Sequence, residues 1–411
     1  MKSVDEELRE HRDFTGLRNN VGAAGFDLGD FEVALNVDVD DAGFLLRRKG
    51  HSAVVVAGVD RDLFAAGGIC LGVGSNALKQ ILPDFTTVML RSGLAPSRPL
   101  TYAAVANRVY YSNGVESGAV ENGQHRTWGL VPPTPPVATQ VGGSLRAGRY
   151  QYTMTYLRAD GQESGAPRAA VVELTAVASG YELTLPVSTD PSVTDKAVYV
   201  SARDGETLYR YAVVDNATTT FTVGEERPGT VALATQFLVS PNILGTIDHI
   251  AYGNGRMLVA AGSRLYCSEP YAPELYDPRK SWPFLDAITM VQPLEDGTWL
   301  GTKSQVIWLP NAEPEKWQFM VKAPYGVIPG TAYVDSLSSV GDGSGKGPAV
   351  YFATTQGLCV GGNGGQMSNF TEGRFAYPIQ ERGAGIMRRH RGMSQYLTTL
   401  HGAEVAGNVA A

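Results

Sequence analysis

Apolar residues in this chain come in short runs, each broken by a tight polar or glycine turn and followed by a second run. Five segments share the pattern: Leu63–Leu71 (LFAAGGICL), Tyr102–Ser112 (YAAVANRVYYS), Leu258–Ser268 (LVAAGSRLYCS), Trp299–Leu309 (WLGTKSQVIWL) and Tyr351–Val360 (YFATTQGLCV). The closest pair is Asn107–Ser112 against Ser263–Ser268. Successive side chains of a strand point to opposite faces. In the third copy Leu258 and Ala260 therefore face one way, and Met257, Val259 and Ala261 the other. A strand apolar on both faces has to be covered on both. Propeller blades meet that demand, because each is sandwiched between two neighbours. The copies recur at roughly 40–50 residues, the length of one four-stranded blade. A wider gap separates the second and third copies and predicts an inserted domain. Gly385–His401 (GIMRRHRGMSQYLTTLH) reads as a further strand–turn–strand unit, completed by the early strand Gly43–Lys49 (GFLLRRK). The expectation is an all-β fold, a β-propeller of about six blades closed between the chain ends.

Inside the gap, Pro132–Pro136 (PPTPP) is a stiff stretch poor in backbone donors. Strands follow it at turn-separated intervals: Arg149–Leu157, then, after the turn Ala159–Glu163, Ala169–Leu174, Tyr181–Leu185, Ala197–Ser201, Leu208–Val214 and Thr218–Val223. That spacing reads as a seven-stranded β-sandwich. The run GRYQYTMTYLRADGQESGAP (Gly148–Pro167) resembles fibronectin type III or immunoglobulin-like modules, and no Cys–Trp–Cys framework is present, which excludes an antibody-type domain. The boundaries expected are an arm and lead-in over 1–42, propeller blades over 43–131, the inserted sandwich over 132–240, and further blades with ring closure over 241–411.

With 43% hydrophobic and 18% charged residues, the chain lies on the globular side of the disorder boundary. A net charge of −7 argues against a surface that grips phosphates, which takes clustered Lys and Arg. An acidic lumen could still surround DNA and let it slide. Cys70, Cys267 and Cys359 are odd in number and widely spaced, so neither a zinc site nor a disulfide framework is expected. Met1–Asp13 is too charged for a signal peptide, and no apolar run reaches the length of a membrane span. The expectation is a soluble protein made in the cytoplasm, without membrane insertion.

Candidate chemistry is sparse. The six histidines (His11, His51, His125, His249, His390, His401) form neither HExxH nor an i, i+4 pair. Gly341–Gly347 (GDGSGKG) lacks the first glycine of a phosphate-binding loop, where Val340 stands, and has Gly347 in place of the magnesium-binding Ser or Thr. Asp38, Asp40 and Asp41 hint at a calcium loop, but Ala42 fills the fifth position and Lys49 the closing Glu position. Gly361–Gly365 reads as a turn. Arg388, Arg389 and Arg391 with His390 form the densest basic cluster, which reads as a solvated edge or a contact for an acidic partner. Asp5, Glu6, Glu7, Glu10 and Asp13 lie in a lead that reads as a short amphipathic helix or as an arm disordered in the free chain. No catalytic, cofactor-binding or metal-binding residue is assigned, and no enzyme activity or cofactor is expected.

The segment Phe14–Gly50 carries a family resemblance through Leu35, Asn36, Val37, Asp38, Asp40, Gly43, Leu45, Arg47, Arg48 and Gly50. It resembles the opening of tailed-bacteriophage and prophage virion proteins in which such a lead precedes a propeller. More loosely, the chain is similar to the nozzle or tail-hub proteins of short-tailed phages. That resemblance implies a structural subunit of the tail or head–tail junction, located in the virion and assembled in the host cytoplasm. Its partners would be a six-fold homo-oligomeric ring, adaptor or portal-side and tail-side virion proteins, and DNA passing non-specifically through the channel. The alternative is a receptor- or glycan-binding tail protein, with Trp282, Trp299, Trp308 and Trp317 as candidate contacts. A propeller enzyme would need carboxylates converging on the tunnel, and the apolar strands carry almost none.

Overall fold

The computed structural model describes residues 58–96, 98–176, 179–227, 229–335, 347–374, 380–390 and 393–402, with residues 14, 16–18, 25, 27, 29–31, 35, 37–39 and 44–48 of the opening segment. Among the described residues the chain is nearly all β, with no α-helix and only short 3-10 turns. Two compact units form, one from residues 57–285 and one from 1–56 with 286–411.

The 57–285 unit holds three antiparallel meanders in which spatial order follows chain order. Meander I comprises Arg61–Ala66, Ile69–Gly74, Ala77–Ile81 and Thr87–Arg91, and meander II comprises Thr101–Val105, Arg108–Ser112, Ser117–Glu121 and Gln124–Arg126. Meander III comprises Ile247–Gly253, Arg256–Ala261, Arg264–Glu269 and Ala272–Tyr276, with Trp282–Pro283 paired beside its third strand. The turns follow from local chemistry. Gly67–Gly68, Asn122–Gly123 and Asn254–Gly255 each place both central residues at positive φ, the twist-matched two-residue hairpin that Gly and Asn permit.

Meander II shows why the strands are apolar on both faces. Val109, Tyr111 and Val120 pack against Leu71, Val73 and Leu78 of meander I. The alternate residues Tyr110 and Ala119 pack against Ile250, Met257 and Val259 of meander III. Meanders II and III are thus direct neighbours, although the sandwich intervenes in sequence. The Ser112 hydroxyl donates to the Ile247 carbonyl at 2.8 Å, and Trp128, buried beside Tyr110, donates from Nε1 to the Pro273 carbonyl at 3.0 Å.

The sandwich has seven strands in two sheets. One carries Val137–Leu145, Ser179–Thr184 and Thr220–Val223, and the other Ala170–Leu174, Gly148–Arg158, Val193–Ser201 and Leu208–Asp215. Tyr150, Tyr152 and Met154 of one sheet meet Leu145, Tyr181 and Val223 of the other in a single core. Lettered A to G in chain order, the sheets run A-D-G and C-B-E-F. This differs from the A-B-E-D and C-F-G order of immunoglobulin constant domains.

In the other unit, meander IV comprises Ile288–Leu294, Gly297–Thr302, Val306–Pro310 and Met320–Ala323, and meander V comprises Tyr333–Asp335, Ala349–Thr354, Gly357–Gly362 and Met367–Asn369. Met290, Trp299 and Trp308 of meander IV pack on Val350, Phe352 and Cys359 of meander V. Gly361 and Gly365 admit the indole rings: a Cβ on them would lie 2.5 Å from Trp299 and 2.3 Å from Trp308 respectively. The opposite face of meander V presents Ala349, Tyr351 and Val360 to Met387 and Tyr396 of the hairpin Gln380–His390/Met393–Gly402.

The five recurrent segments each fall on a hairpin of a different meander, but not the same hairpin. In meanders I and II they span the first and second strands, in III to V the second and third. Arg108–Ser112 and Arg264–Glu269, aligned by sequence, therefore hold different ranks in their sheets. The early hairpin Val37–Val39/Leu45–Arg47 and the late hairpin are separate two-stranded ladders, connected by an ion pair from Arg388 to Asp38 at 3.1 Å. Gly43 and Lys49 lie outside the described residues.

Candidate functional site

The densest polar assembly in the 57–285 unit gathers where meanders II and III meet the sandwich. At its centre is Glu274, on the last strand of meander III, with its side chain only 3% exposed. Arg108 Nη1 reaches Glu274 Oε1 at 3.1 Å and Arg126 Nη2 reaches the same oxygen at 3.2 Å, both from meander II. Arg158, at the end of a sandwich strand, donates from Nη1 to Glu274 Oε2 at 3.1 Å, and Tyr110 donates its hydroxyl to Oε1 at 2.9 Å. Three separate sheets thus converge on one carboxylate.

An outer ring of partners completes the set. Arg108 Nη2 lies 2.9 Å from Glu121 Oε2, and Arg126 Nη1 lies 2.9 Å from Asp160 Oδ2. Arg158 also donates to Gln162 Oε1 at 2.6 Å, Thr127 Oγ1 at 2.7 Å and Ser192 Oγ at 2.9 Å. Three guanidiniums balance three carboxylates (Glu274, Glu121, Asp160), so the cluster is formally neutral. Burial pushes the Glu274 carboxyl above its ordinary range, against the pull of Arg158, Tyr110 and Arg108. Burial and the Glu274 charge also raise the Tyr110 phenol.

Chemically this is a joint. Arg158, Tyr110 and Glu274 are buried and saturated with one another, which suits fixing an angle between sheets better than moving a proton. Buried ion pairs add little net stability over apolar packing, but removing one member strands the others at a cost of about 3–5 kcal/mol. Their value is directional: Arg158 reaches Glu274 and Thr127 from the sandwich and Arg126 reaches Asp160, so the sandwich is tied to meanders II and III at several points. Arg108, Tyr110, Asp160 and Gln162 entered the sequence reading only as parts of a repeat and a turn, and none of these residues was assigned to a site. The only available signal was local: Arg158 precedes the Asp160–Gly161 turn, and Gly161 takes φ +83°.

The residues that sequence did single out are scattered. Trp299 and Trp308 are core residues, 0% and 2% exposed with ring centroids 5.1 Å apart, which overturns their candidacy as glycan contacts. Trp317 is partly buried and donates to the Asn311 carbonyl at 2.9 Å, and Trp282 is a partly buried strand residue. Arg388 is bound to Asp38 and to Gln395, and Arg389 to Asp335; Arg391 lies outside the described residues. Asp38 receives both Arg48 and Arg388. Burial raises its pKa, the two guanidiniums outweigh that, and the net shift is downward. Asp40, Asp41, Ala42, the loop 341–346 and the acidic lead 1–13 lie outside the described residues. Cys267 and Cys359 are buried, and burial pushes the Cys359 thiol up to about 11. Burial drives the His249 pKa down to about 4. Among the described residues no group of three or more His, Cys, Asp or Glu is placed to hold a metal, and no helix is long and apolar enough to cross a membrane.

No protein-family model matches the chain, and no curated protein matches it. Among solved structures, it is similar to the extracellular domain of a putative hybrid two-component system from B. thetaiotaomicron, with 12% identity over 91% of this chain and 44% of that one and a TM-score of 0.34. A putative one-component system from the same organism gives 12% identity, 84% and 43% coverage and a TM-score of 0.33. Saccharomyces cerevisiae Sqt1 gives 11% identity, 69% and 89% coverage and a TM-score of 0.21. The chain spans less than half the length of the two bacterial domains.

Proposed function

We propose that this chain is a structural subunit of a bacteriophage tail or head–tail junction, a nozzle-type β-propeller whose ring surrounds the DNA channel and helps retain and deliver the genome. In this reading each meander is a blade, and the early and late hairpins together supply one more. The sandwich is a fibronectin type III-like module inserted between the second and third blades. The observation that carries the reading is the coverage of meanders II and V on both faces, by a neighbouring sheet on each side. Sheets stacked in this way resist bending. A head-to-tail ring closes only when every subunit imposes the same rotation, so stiffness is the property such a subunit needs. The Glu274 joint extends that stiffness to the sandwich and holds it ready for a neighbouring virion protein on the adaptor or tail side. A net charge of −7 suits a lumen through which DNA slides without being gripped.

The test is location. Particles purified from cells that make the chain are analysed by mass spectrometry and cryo-electron microscopy. A symmetric ring of this chain on the tail axis is the expected result. Its absence from particles, with the chain recovered only from the soluble cell fraction, would overturn the reading.

A further inference from the structure

A cleft of about 540 Å³ opens in the sandwich, with walls from both sheets. Its volume lies inside the roughly 300–1,000 Å³ typical of small-molecule sites. Tyr150, Tyr209, Arg210, Tyr211, Glu226 and Arg227 line it. A regular strand would send Tyr209, Arg210 and Tyr211 to alternate faces. Here the ladder steps from Val198↔Ala212 to Tyr199↔Arg210, which leaves Tyr211 as the extra residue of a β-bulge. Bulges re-aim side chains beside functional sites; here Tyr209, opposite Val200, and Tyr211, packed on the inter-sheet core, face the cleft, while Arg210 stands opposite Tyr199 on the other face. Gly229 lets the closing segment lie against Tyr209, since a Cβ there would stand 2.0 Å from the tyrosine's own.

The walls are set in place by one another. The Arg227 guanidinium sits 5.0 Å over the Tyr211 ring and pairs with Glu225 at 2.7 Å. The Tyr211 ring meets Phe221 edge-on at 5.9 Å. The Tyr150 hydroxyl lies 3.2 Å from Glu226 Oε1. Behind Tyr150, at a ring separation of 6.2 Å, Tyr181 keeps a buried hydroxyl with no hydrogen-bond partner.

The charges decide the ligand class. The rim charges are already engaged: Arg227 pairs with Glu225, and Glu226 accepts from the Tyr150 hydroxyl. An anion entering would meet the two carboxylates, and a cation would have to displace Arg227 from Glu225. A neutral polyhydroxylated molecule meets neither obstacle: its C–H faces stack on the tyrosines, and its hydroxyls donate to carboxylates and accept from guanidiniums. We propose that this cleft binds a short neutral saccharide, by way of Tyr211, Tyr209 and the Glu225–Arg227 rim.

The full chain is applied to an array of neutral and acidic glycans, and the best neutral binder is then titrated calorimetrically against wild type, Tyr211→Phe and Tyr211→Ala. Retention of at least one neutral glycan is expected. Tyr211→Phe, which keeps the ring and gives up the hydroxyl's 3.1 Å bond to the Glu225 carbonyl, should keep most of the binding, and Tyr211→Ala should weaken it about tenfold or more, a change of roughly 1.4 kcal/mol per factor of ten. Tyr211→Phe separates the ring from the hydroxyl, and the circular-dichroism melt of Tyr211→Ala separates loss of stacking from loss of the fold. No neutral glycan retained, acidic glycans only, or equal affinity in Tyr211→Ala would each overturn the proposal. The site does not rest on the virion reading, and either can fail alone.

Discussion

Meanders II and III and meanders IV and V are pairs of the same kind of sheet, joined by different chemistry. Between IV and V the contact is mainly apolar: Trp299 and Trp308 lie across glycines, against Val350 and Phe352, and Trp299 Nε1 adds a single bond to the Gly362 carbonyl at 3.1 Å without any buried charge. Between II and III an apolar layer around Tyr110 and Met257 is bordered by Glu274 and the arginines that hold it. The pair interrupted by a whole inserted module adds a buried charge cluster to its packing, and the uninterrupted pair relies mainly on packing. The difference has a physical reason. Apolar contact is non-directional, so it can hold two sheets together without saying where a third body must sit. A carboxylate of one sheet shared by guanidiniums from two others does say so.

The largest way to probe this contrast is Trp299→Ala. It should cost about 3–5 kcal/mol, as large aromatic truncations in cores do. In hydrogen-exchange mass spectrometry the loss of protection should fall on meanders IV and V and spare meander II. Next is Glu274→Gln, which keeps shape but withdraws charge from the arginines. A loss of about 3 kcal/mol is expected, the low end of the cost of breaking a buried ion cluster, because the amide keeps one acceptor oxygen. Exchange should rise together in meanders II and III and in the sandwich strand Gly148–Arg158. If only meander III responded, Glu274 would be a local bond and not a joint.

A third probe is acid. The His249 pKa falls from 6.5 unfolded to about 4 folded. The unfolded chain therefore takes up the proton first, and the stability is fully present above about pH 6.5 and lost as pH falls toward 4. Allowing for the ring's partial exposure, roughly 1–2 kcal/mol is at stake. Urea melts of wild type and His249→Gln should converge at low pH, with the loss confined to the 57–285 unit. The smallest effect is Tyr396→Phe, which removes the hydroxyl donated to the Thr331 carbonyl. About 0.5–1.5 kcal/mol is expected, read as faster exchange confined to the hairpin Gln380–His390/Met393–Gly402.

Much of the sheet architecture could be read in the chain, because its determinants are local. Two-faced apolar runs and Asn–Gly or Gly–Gly turns identify hairpins within a few residues of sequence. What escaped was long-range or weakly patterned. Val137–Leu145 (VATQVGGSL) is a sandwich strand whose side chains are mostly exposed, so it lacks the alternation that marked its neighbours. The slip in strand rank between meanders II and III escaped because equal hairpins in different positions look alike. The joint escaped because Arg108, Arg126, Arg158 and Glu274 share no motif and meet only after three sheets have assembled. The tryptophans misled for a related reason: a ring stacked on glycines and a ring awaiting a sugar are spelled identically.

The direct seating of meander III on meander II has a consequence for synthesis. When the ribosome has finished meander II, Tyr110 and Ala119 have no cover, and the next part of the chain to emerge is the sandwich. That module folds from its own core while the cover for Tyr110 is still unmade. Contacts so distant in sequence form slowly, and apolar surface left open in the meantime invites aggregation. That face stays open until the strands Ile247–Gly253 to Ala272–Tyr276 have been made and meander III closes over it.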